Sequence, residues 1–393
     1  MKKKWLVGLL CVIAILLAFC LRSPVPVYGK AEEKNSETEL NQSIIELIEQ
    51  LDLDDLEKYL KSLDSFSDKS VASRLFEYVK GESVDYGNFF EGIGKVLFEN
   101  VQKLLPSFLC ITAITLLCGI VSTLKVGRTS ASSEPMIFLI AYASSLIPVL
   151  AVITECFTVA RECVSSMQTQ MQLVFPLLMT LMAASGGSVS AAICRPAVAF
   201  FSTNIVSLIL SVIFPLTLLI IAFSIAGHLS KDLKFGKFAA FFKGINKWII
   251  GISISVFGLF FTLQGMTAAT YDGITRRAAK YAIGTGVPIV GGFLSGGFDL
   301  AIAGSALIKN SLGSMSIFMM VSVLFEPVVL LVSVNLLLKL TAAITQPIGD
   351  ERISDLLEET AGNLNYCTAG VLFSAFLYFL CIVLIVGTSE AFL

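Results

Sequence analysis

The sequence predicts an all-α, polytopic helical membrane protein with six to eight spans, preceded by an amphipathic-helical region outside the cytoplasm. Hydrophobic residues make up 55% of the 393-residue chain, charged residues only 15%, and the mean hydropathy is +0.81. Soluble globular chains carry roughly a quarter charged residues. From residue 104 onward, apolar segments of about 20 residues, enough to cross about 30 Å of hydrocarbon, follow one another closely.

The first 29 residues have the pattern of a secretory signal peptide. Three lysines at positions 2 to 4 precede the apolar run 5–21, and Val27 and Gly29 fit a small-residue cleavage site. An uncleaved N-terminal anchor is the alternative, because glycine is a less usual cleavage residue than alanine. The signal-peptide interpretation places the following residues outside the cytoplasm.

Residues 30–103 are predicted to form short amphipathic helices in an acidic extracytoplasmic region. They hold 17 acidic and 9 basic side chains, and leucine and isoleucine recur among them at helical spacing. The acidity fits that side of the membrane, since positive charge is retained in the cytoplasm.

The remaining chain divides into a first pair of spans, 104–160, and two membrane repeats, 171–268 and 281–388. The firm spans are 104–124, 136–157, 199–227, 248–268, 315–340 and 366–388. The segments 171–192 and 283–308 are apolar but interrupted by glycine. If both cross the membrane there are eight spans, and if both are re-entrant there are six. The lysine-rich loop 228–247 favours the re-entrant interpretation of 171–192, which leaves this loop in the cytoplasm.

An internal duplication is predicted from two stretches about 110 residues apart. "SGGSVSAAICRPAVAFF" begins at Ser185 and "SGGFDLAIAGSALIKNS" at Ser295. In both copies Ser-Gly-Gly precedes small residues, a basic residue (Arg195 or Lys309) and an apolar helix containing proline (Pro215 or Pro327). Repeats with interrupted helices are typical of transporters and channels. Chance similarity between Gly- and Leu-rich membrane segments is the alternative.

Four charges in apolar surroundings are the candidate functional side chains: Asp299, Glu326, Lys309 and Arg195. A charge at the bilayer centre costs a few kcal/mol and therefore usually faces a partner or an aqueous path. Location at the membrane surface is the alternative for Asp299 and Lys309. The candidate helix-packing or helix-breaking residues are Gly186, Gly187, Gly291, Gly292, Gly296, Gly297, Gly304, Pro215 and Pro327.

No soluble-enzyme motif is present in the sequence. It contains no Walker A, G-x-S-x-G or H-E-x-x-H pattern, one histidine, and nine cysteines without a C-x-x-C spacing. We therefore expect no catalysis, no cofactor or metal, and no nucleic-acid partner.

The signal-like start, the acidic region, "SGGSVSAAICRP" and above all "GVPIVGGFLSGGFDLAIAGSALIKNSLG" resemble the stage III sporulation protein AE family of endospore-forming bacteria. The resemblance implies a membrane component of a transenvelope channel, or feeding tube, between mother cell and forespore, which supports late forespore gene expression after engulfment. It implies a location in the mother-cell membrane around the forespore. The implied partners are a secretion-type ATPase, ring-forming membrane proteins of the same operon, a forespore-made channel partner and the lipid bilayer. An independent secondary transporter and a purely structural scaffold are the alternative functions.

Overall fold

The fold is all-α in the part of the chain that the structure describes. The computed structural model describes residues 44–48, 51, 53–61, 70–80, 102–106, 108–117, 120, 134–229, 235–286, 291–347 and 351–387, with only the backbone between residues 263 and 301. These residues contain no β-strand, and the prediction of an all-α polytopic protein is confirmed. The predicted signal peptide, 1–29, and much of 30–103 lie outside the described residues.

Short helices lead into the long helices of the chain. They are α1 (44–48), α2 (Asp54–Lys61), α3 (Val71–Lys80) and α4 (Gln102–Leu117). In α2, Leu56 and Leu60 are buried one turn apart, while Lys58 and Asp55 form an exposed ion pair at 3.3 Å on the other face. Helix α2 is therefore amphipathic.

Five long helices form the body of the molecule. They are α5 (Glu134–Ala184), α6 (Ser188–Leu229), α7 (Gly236–Gly286), α8 (Gly291–Thr345) and α9 (Glu351–Gly387). Each contains a stretch long and apolar enough to cross a membrane, which gives five candidate spans among the described residues. With 51 residues, α5 is about 77 Å long at 1.5 Å per residue, more than twice the hydrocarbon thickness of about 30 Å.

The two glycine-interrupted segments are not independent helices. Residues 171–192 form the end of α5, a turn and the start of α6, whereas 283–308 includes the end of α7 and the first third of α8. Helix α5 also continues across the boundary expected between 104–160 and 171–268. An α-helix continues as long as its hydrogen bonds are satisfied, so a moderately polar stretch such as 158–170 does not end it.

Helix α9 lies at the centre of the bundle. None of its side chains from Asn363 to Val386 is exposed. It runs antiparallel to α8, since Ser354 donates a hydrogen bond to the carbonyl of Ala342 near the connection, and Lys309 reaches Val386 at the far end. This apolar helix is therefore covered by other helices.

A hydrogen-bonded cap ends α5 at the first Ser-Gly-Gly. Gly186 has a φ of 88°, and its N–H donates to the carbonyl of Ala183 at 3.1 Å. The N–H of Gly187 donates to the carbonyl of Met182 at 2.9 Å. These two bonds and the left-handed residue make a Schellman motif, which stops a helix and reverses the chain. The first glycine pair is therefore a turn between α5 and α6.

The second copy differs at the corresponding position. Helix α8 begins at Gly291 and continues through Gly296 and Gly297 without a break. Glycine costs only about 1 kcal/mol relative to alanine within a helix, so a long helix tolerates it. A turn forms only where the chain adopts a left-handed residue, as it does at Gly186.

Replacing Gly186 by alanine is expected to destabilise the protein by about 1–2 kcal/mol, because an L side chain is strained in the left-handed region. Thermal unfolding of the purified protein in detergent measures this change. Gly251→Ala is the matched control, since Gly251 lies in α7 with open space around its Cβ position. An equal effect of both substitutions would argue against the conformational role of Gly186.

Candidate functional site

A polar cluster joins three helices at the end of the bundle where α6 meets α7. Lys243 Nζ on α7 donates to Glu359 Oε1 on α9 at 2.6 Å, and Ser224 Oγ on α6 donates to Glu359 Oε2. His228 Nδ1 lies 3.8 Å from Glu359 Oε2. The side chain of Glu359 is 35% exposed, so the cluster is half-buried rather than sealed. One carboxylate thus holds groups from α6 and α7 against α9.

A second polar contact lies deeper along the same pair of helices. Asn246 Nδ2 on α7 donates to Thr217 Oγ1 on α6 at 2.9 Å, and both side chains are fully buried. Apolar helices gain little from the hydrophobic effect inside a bilayer, so interhelical hydrogen bonds of this kind help to fix their register. Lys243 and Asn246 place polar atoms on the inward face of α7.

The cluster is not arranged as a hydrolytic triad. A triad requires the histidine to accept the proton of the serine hydroxyl. Here the Ser224 hydroxyl donates to Glu359, and His228 Nδ1 lies 2.8 Å from the Ser224 carbonyl oxygen. The chemistry that this geometry supports is charge neutralisation and helix pairing.

Glu359→Gln is expected to destabilise the protein by about 1 kcal/mol, because it leaves the Lys243 ammonium without its carboxylate in a half-buried position. Thermal unfolding at low and high salt measures the loss. Glu358→Gln is the matched control, since Glu358 is the exposed neighbour on α9. If the two variants unfold at the same temperature, the pair contributes nothing to stability.

Lys309 is the one predicted charge that the described side chains place inside the bundle. It is 0% exposed, and its Nζ donates to the carbonyl oxygen of Val386 at 2.8 Å. Val386 is next to the end of α9, where helix carbonyls lack intrahelical partners and the helix dipole is negative. The ammonium of Lys309 therefore caps the central helix.

The other predicted charges do not join Lys309. Glu326 on α8 and Arg195 on α6 are exposed. Asp299 lies in α8, but its side chain is outside the described residues. Arg195 is thus exposed and Lys309 is buried, although the two residues occupy matching positions in the proposed repeats.

The predicted glycines and prolines also separate into different environments. A Cβ on Gly304 would lie 3.3 Å from Leu47 Cδ1, so α1 packs closely against α8 at this glycine.

Pro327 is buried within α8, whereas Pro215 is exposed on α6. Two π-helical turns, 201–205 and 209–213, lie in α6 before Pro215, the second ending two residues ahead of it. Such turns accommodate the clash of a proline ring with the carbonyl four residues earlier. Gly291, Gly292, Gly296 and Gly297 belong to the helical backbone of α8.

Sequence reasoning missed the groups that connect the helices. In the sequence, Glu359 and Lys243 lie beside other charged residues next to the apolar runs, so the pattern gave no reason to single them out. Asn335, within an apolar run of α8, donates to the carbonyl of Ala361 and to Asn365 Oδ1 on α9. Asn335 could have been identified from sequence as a helix-contact residue, because a buried amide in an apolar helix requires a hydrogen-bond partner.

A comparison with known families finds one whose model matches most of the chain. The family is described as stage III sporulation protein AE, and the match covers residues 71–389. Among curated proteins, the chain is similar to "Stage III sporulation protein AE" of Bacillus subtilis (strain 168). The two are 26% identical over 326 residues, which cover 82% of this chain and 81% of that protein. No solved structure gives a significant match.

The family match includes α3 and all five long helices, so it covers the bundle and its polar contacts. The resemblance noted from the two Ser-Gly-Gly stretches is confirmed. This chain is a helical membrane protein of sporulation and belongs to the stage III sporulation protein AE family.

Proposed function

We propose that this chain is an integral membrane component of the channel between mother cell and forespore, needed after engulfment for late forespore gene expression. Its family membership supports a role in sporulation. Its five long apolar helices fit a protein that lies in the membrane surrounding the forespore. Family membership is the observation that carries this proposal.

The proposed partners are the other subunits of the sporulation operon, including a secretion-type ATPase and ring-forming membrane proteins, together with a forespore-made channel partner. The sequence has no Walker A motif, so energy for transport would come from the ATPase partner or from an ion gradient. The region 30–103 would lie outside the cytoplasm and dock these subunits in the space between the two membranes. We also propose that the chain itself is not an enzyme.

Deleting the gene in the endospore-forming host is expected to stop development after engulfment, with at least a tenfold loss of heat-resistant spores. A fluorescent reporter driven by a late forespore promoter should fall in the same cells, while an early forespore reporter stays unchanged. A copy of the gene at a second locus should restore both. Normal late reporter activity in the deleted strain would contradict the channel role.

The intramembrane-charge hypothesis is tested in the same strain with Asp299→Asn and Glu326→Gln. If these side chains serve a transport path, spore yield falls while the protein still assembles with its partners in co-purification. Unchanged spore yield in both variants would rule that role out. The alternative of an independent secondary transporter instead predicts solute uptake by liposomes that contain this chain alone.

A further inference from the structure

The outward face of α5 is polar over a long middle stretch. Between residues 151 and 184, whose side chains are all described, no large apolar side chain is exposed. The exposed side chains from Glu155 to Gln172, here named the α5 strip, extend over about 26 Å at 1.5 Å per residue. They are Glu155, Thr158, Arg161, Glu162, Ser165, Thr169 and Gln172.

The outward face of α7 has a different character. Trp248 is 72% exposed and Leu259 65% exposed, and no charge lies between them. Lipid-facing helix surfaces lack charged side chains, so this face fits contact with lipid. Its exposed side chains are Trp248, Gly251, Ile252, Ile254, Ser255, Val256, Gly258 and Leu259.

One end of the α5 strip is level with Trp248. The ring centroids of Phe157 on α5 and Phe214 on α6 are 6.0 Å apart. Less than one turn beyond Phe214, Thr217 on α6 accepts a hydrogen bond from Asn246 on α7 at 2.9 Å. Helix α6 therefore connects the level of Phe157 to the residues of α7 next to Trp248.

The other end of the strip is level with Phe257 on α7. Helices α5 and α6 are antiparallel, so Phe201, which precedes Phe214 on α6, is level with Gln170, which follows Phe157 on α5. The ring centroids of Phe201 and Phe257 are 5.0 Å apart. To within about one helical turn, roughly 5 Å, the α5 strip therefore shares its level with the apolar face of α7.

The two faces lie on different sides of the bundle. Helix α7 reaches α9 where Lys243 binds Glu359, whereas α5 reaches it where the ring centroid of Phe175 lies 5.6 Å from that of Tyr378. At 3.6 residues per turn, Glu359 and Tyr378 are about 100° apart around α9. At one level, the bundle thus has an apolar surface on one side and a polar surface on another.

Helix α6 has a mixed but uncharged outward face at this level. It carries no charge between Arg195 and His228. Asn204 donates its amide to the carbonyl of Phe200 at 3.0 Å, which satisfies it within its own helix. Lipid can therefore cover this face. The exposed side chains from 192 to 215 are Ala192, Ile193, Arg195, Pro196, Ala199, Phe200, Thr203, Asn204, Ser207, Ser211, Val212 and Pro215.

Glu326 on α8 adds a charge next to the α5 strip. The Val323 carbonyl oxygen, less than one turn before Glu326, lies 3.6 Å from Cys163 Sγ on α5. The Glu326 side chain is exposed. Neither Glu326 nor any of the three charges in the α5 strip forms an ion pair with another described group. Four unpaired charges are thus collected at a level where α7 is apolar.

We propose that the α5 strip and Glu326 border an aqueous path through the membrane, while the outward face of α7 contacts lipid. An unpaired charge in hydrocarbon is strongly unfavourable, so charged side chains within a membrane face a partner or a water-filled cavity. The inference rests on the proposed channel role and deepens it, because it assigns a conduit surface to α5.

The path is restricted to the level of the α5 strip. Toward the Glu359–Lys243 pair the distribution differs, since α5 exposes apolar side chains from Met136 to Leu150 and α7 exposes Lys237 and Lys247. Lysines of this kind are typical of the membrane surface. The apolar stretch of α5 at that level takes no part in the path.

The charges along the path favour cations and neutral polar solutes over anions. Three carboxylates, on Glu155, Glu162 and Glu326, stand against the single guanidinium of Arg161, which gives a net charge of -2. Charged side chains that line a pore set the sign of the ions that it admits.

Thiol labelling in membrane fragments from the sporulating host tests the path with a matched pair of serines. Ser165→Cys on α5 and Ser255→Cys on α7 are introduced singly into a cysteine-free variant that retains normal spore yield. Both serines are exposed and lie at about the same level. We expect a positively charged, membrane-impermeant methanethiosulfonate to label the Ser165→Cys protein at least tenfold faster than the Ser255→Cys protein.

Two outcomes of this labelling would overturn the proposal. Equally fast labelling of both proteins would place this level outside the membrane, and protection of both would show that lipid or another chain covers the α5 strip. A negatively charged reagent, normalised to its rate with a free thiol, should label the Ser165→Cys protein at least threefold more slowly than the positive one. Equal normalised rates would overturn the preference for cations.

Lysine substitutions at the same two serines provide a test in the natural chain. Ser255→Lys should reduce the yield of folded protein in membranes at least tenfold, because it places a charge in hydrocarbon. Ser165→Lys should leave the yield within twofold of the unmodified protein. Similar yields of the two variants would overturn the proposal.

The labelling result is independent of the gene-deletion test of the channel role. Selective labelling of the Ser165→Cys protein together with a normal late reporter in the deleted strain would support the aqueous path and contradict the channel role. Protection of the α5 strip together with loss of the late reporter would overturn the path and leave the channel role standing.

Discussion

Gly370→Leu is expected to prevent the central helix from packing and to destabilise the protein by about 3 kcal/mol or more. A Cβ at position 370 would lie 2.8 Å from Phe214 Cε1 and 3.2 Å from Ile209 Cγ2. Both neighbours belong to α6, and Phe214 and Ile209 are buried themselves. Overpacking a tight core costs about 1–3 kcal/mol, and more where the neighbours cannot move.

The measurement is the yield and thermal unfolding of the protein after extraction in mild detergent. Gly362→Leu is the matched control, because Gly362 is exposed on the same helix and has open space at its Cβ position. We expect the control to fold with a normal yield. Normal folding of Gly370→Leu would show that α6 and α9 are not in close contact at this point.

Lys309→Glu is expected to have an effect of similar size, about 3–5 kcal/mol, because it buries an unpaired charge. The carboxylate would face the carbonyl of Val386, at the negative end of the α9 dipole. In the unmodified protein the ammonium satisfies this carbonyl at 2.8 Å. The sign of the charge therefore determines whether the end of α9 can remain buried.

Lys309→Met separates this structural role from a transport role. It keeps the length of the side chain and removes both the charge and the hydrogen bond to the Val386 carbonyl. We expect a loss of about 1–3 kcal/mol, smaller than that of Lys309→Glu, because one acceptor is left unsatisfied but no opposite charge is buried, together with normal spore yield. Loss of spores with normal folding and assembly would instead indicate that the ammonium itself serves transport.

Much of the fold was predictable from local chemistry. The run of apolar segments from residue 104, with few charges, requires membrane helices, because a backbone in lipid must satisfy its hydrogen bonds internally. The glycine pair at 186–187 was also recognisable as a break. The pair at 296–297 was not distinguishable from it, because Ser-Gly-Gly itself does not specify whether a glycine adopts a positive φ.

The site could be predicted only in part, since its members are far apart in the chain. Glu359 and Lys243 are separated by 116 positions, and only the packing of α7 against α9 brings their charged atoms within 2.6 Å. Conversely, Glu326 looked like an interior charge because of its apolar neighbours in sequence. Its side chain is exposed, because helical periodicity turns it away from the bundle.

The sequence by itself determined that this protein is a helical membrane protein, where its apolar segments lie, and which family it belongs to, because these properties depend on composition and local pattern. Tertiary structure decided that α9 is the central helix, that Lys309 is buried and Arg195 exposed, and that α5 is far longer than the bilayer is thick. These properties depend on which helix faces pack together, and such packing is set by side chains distant in the chain.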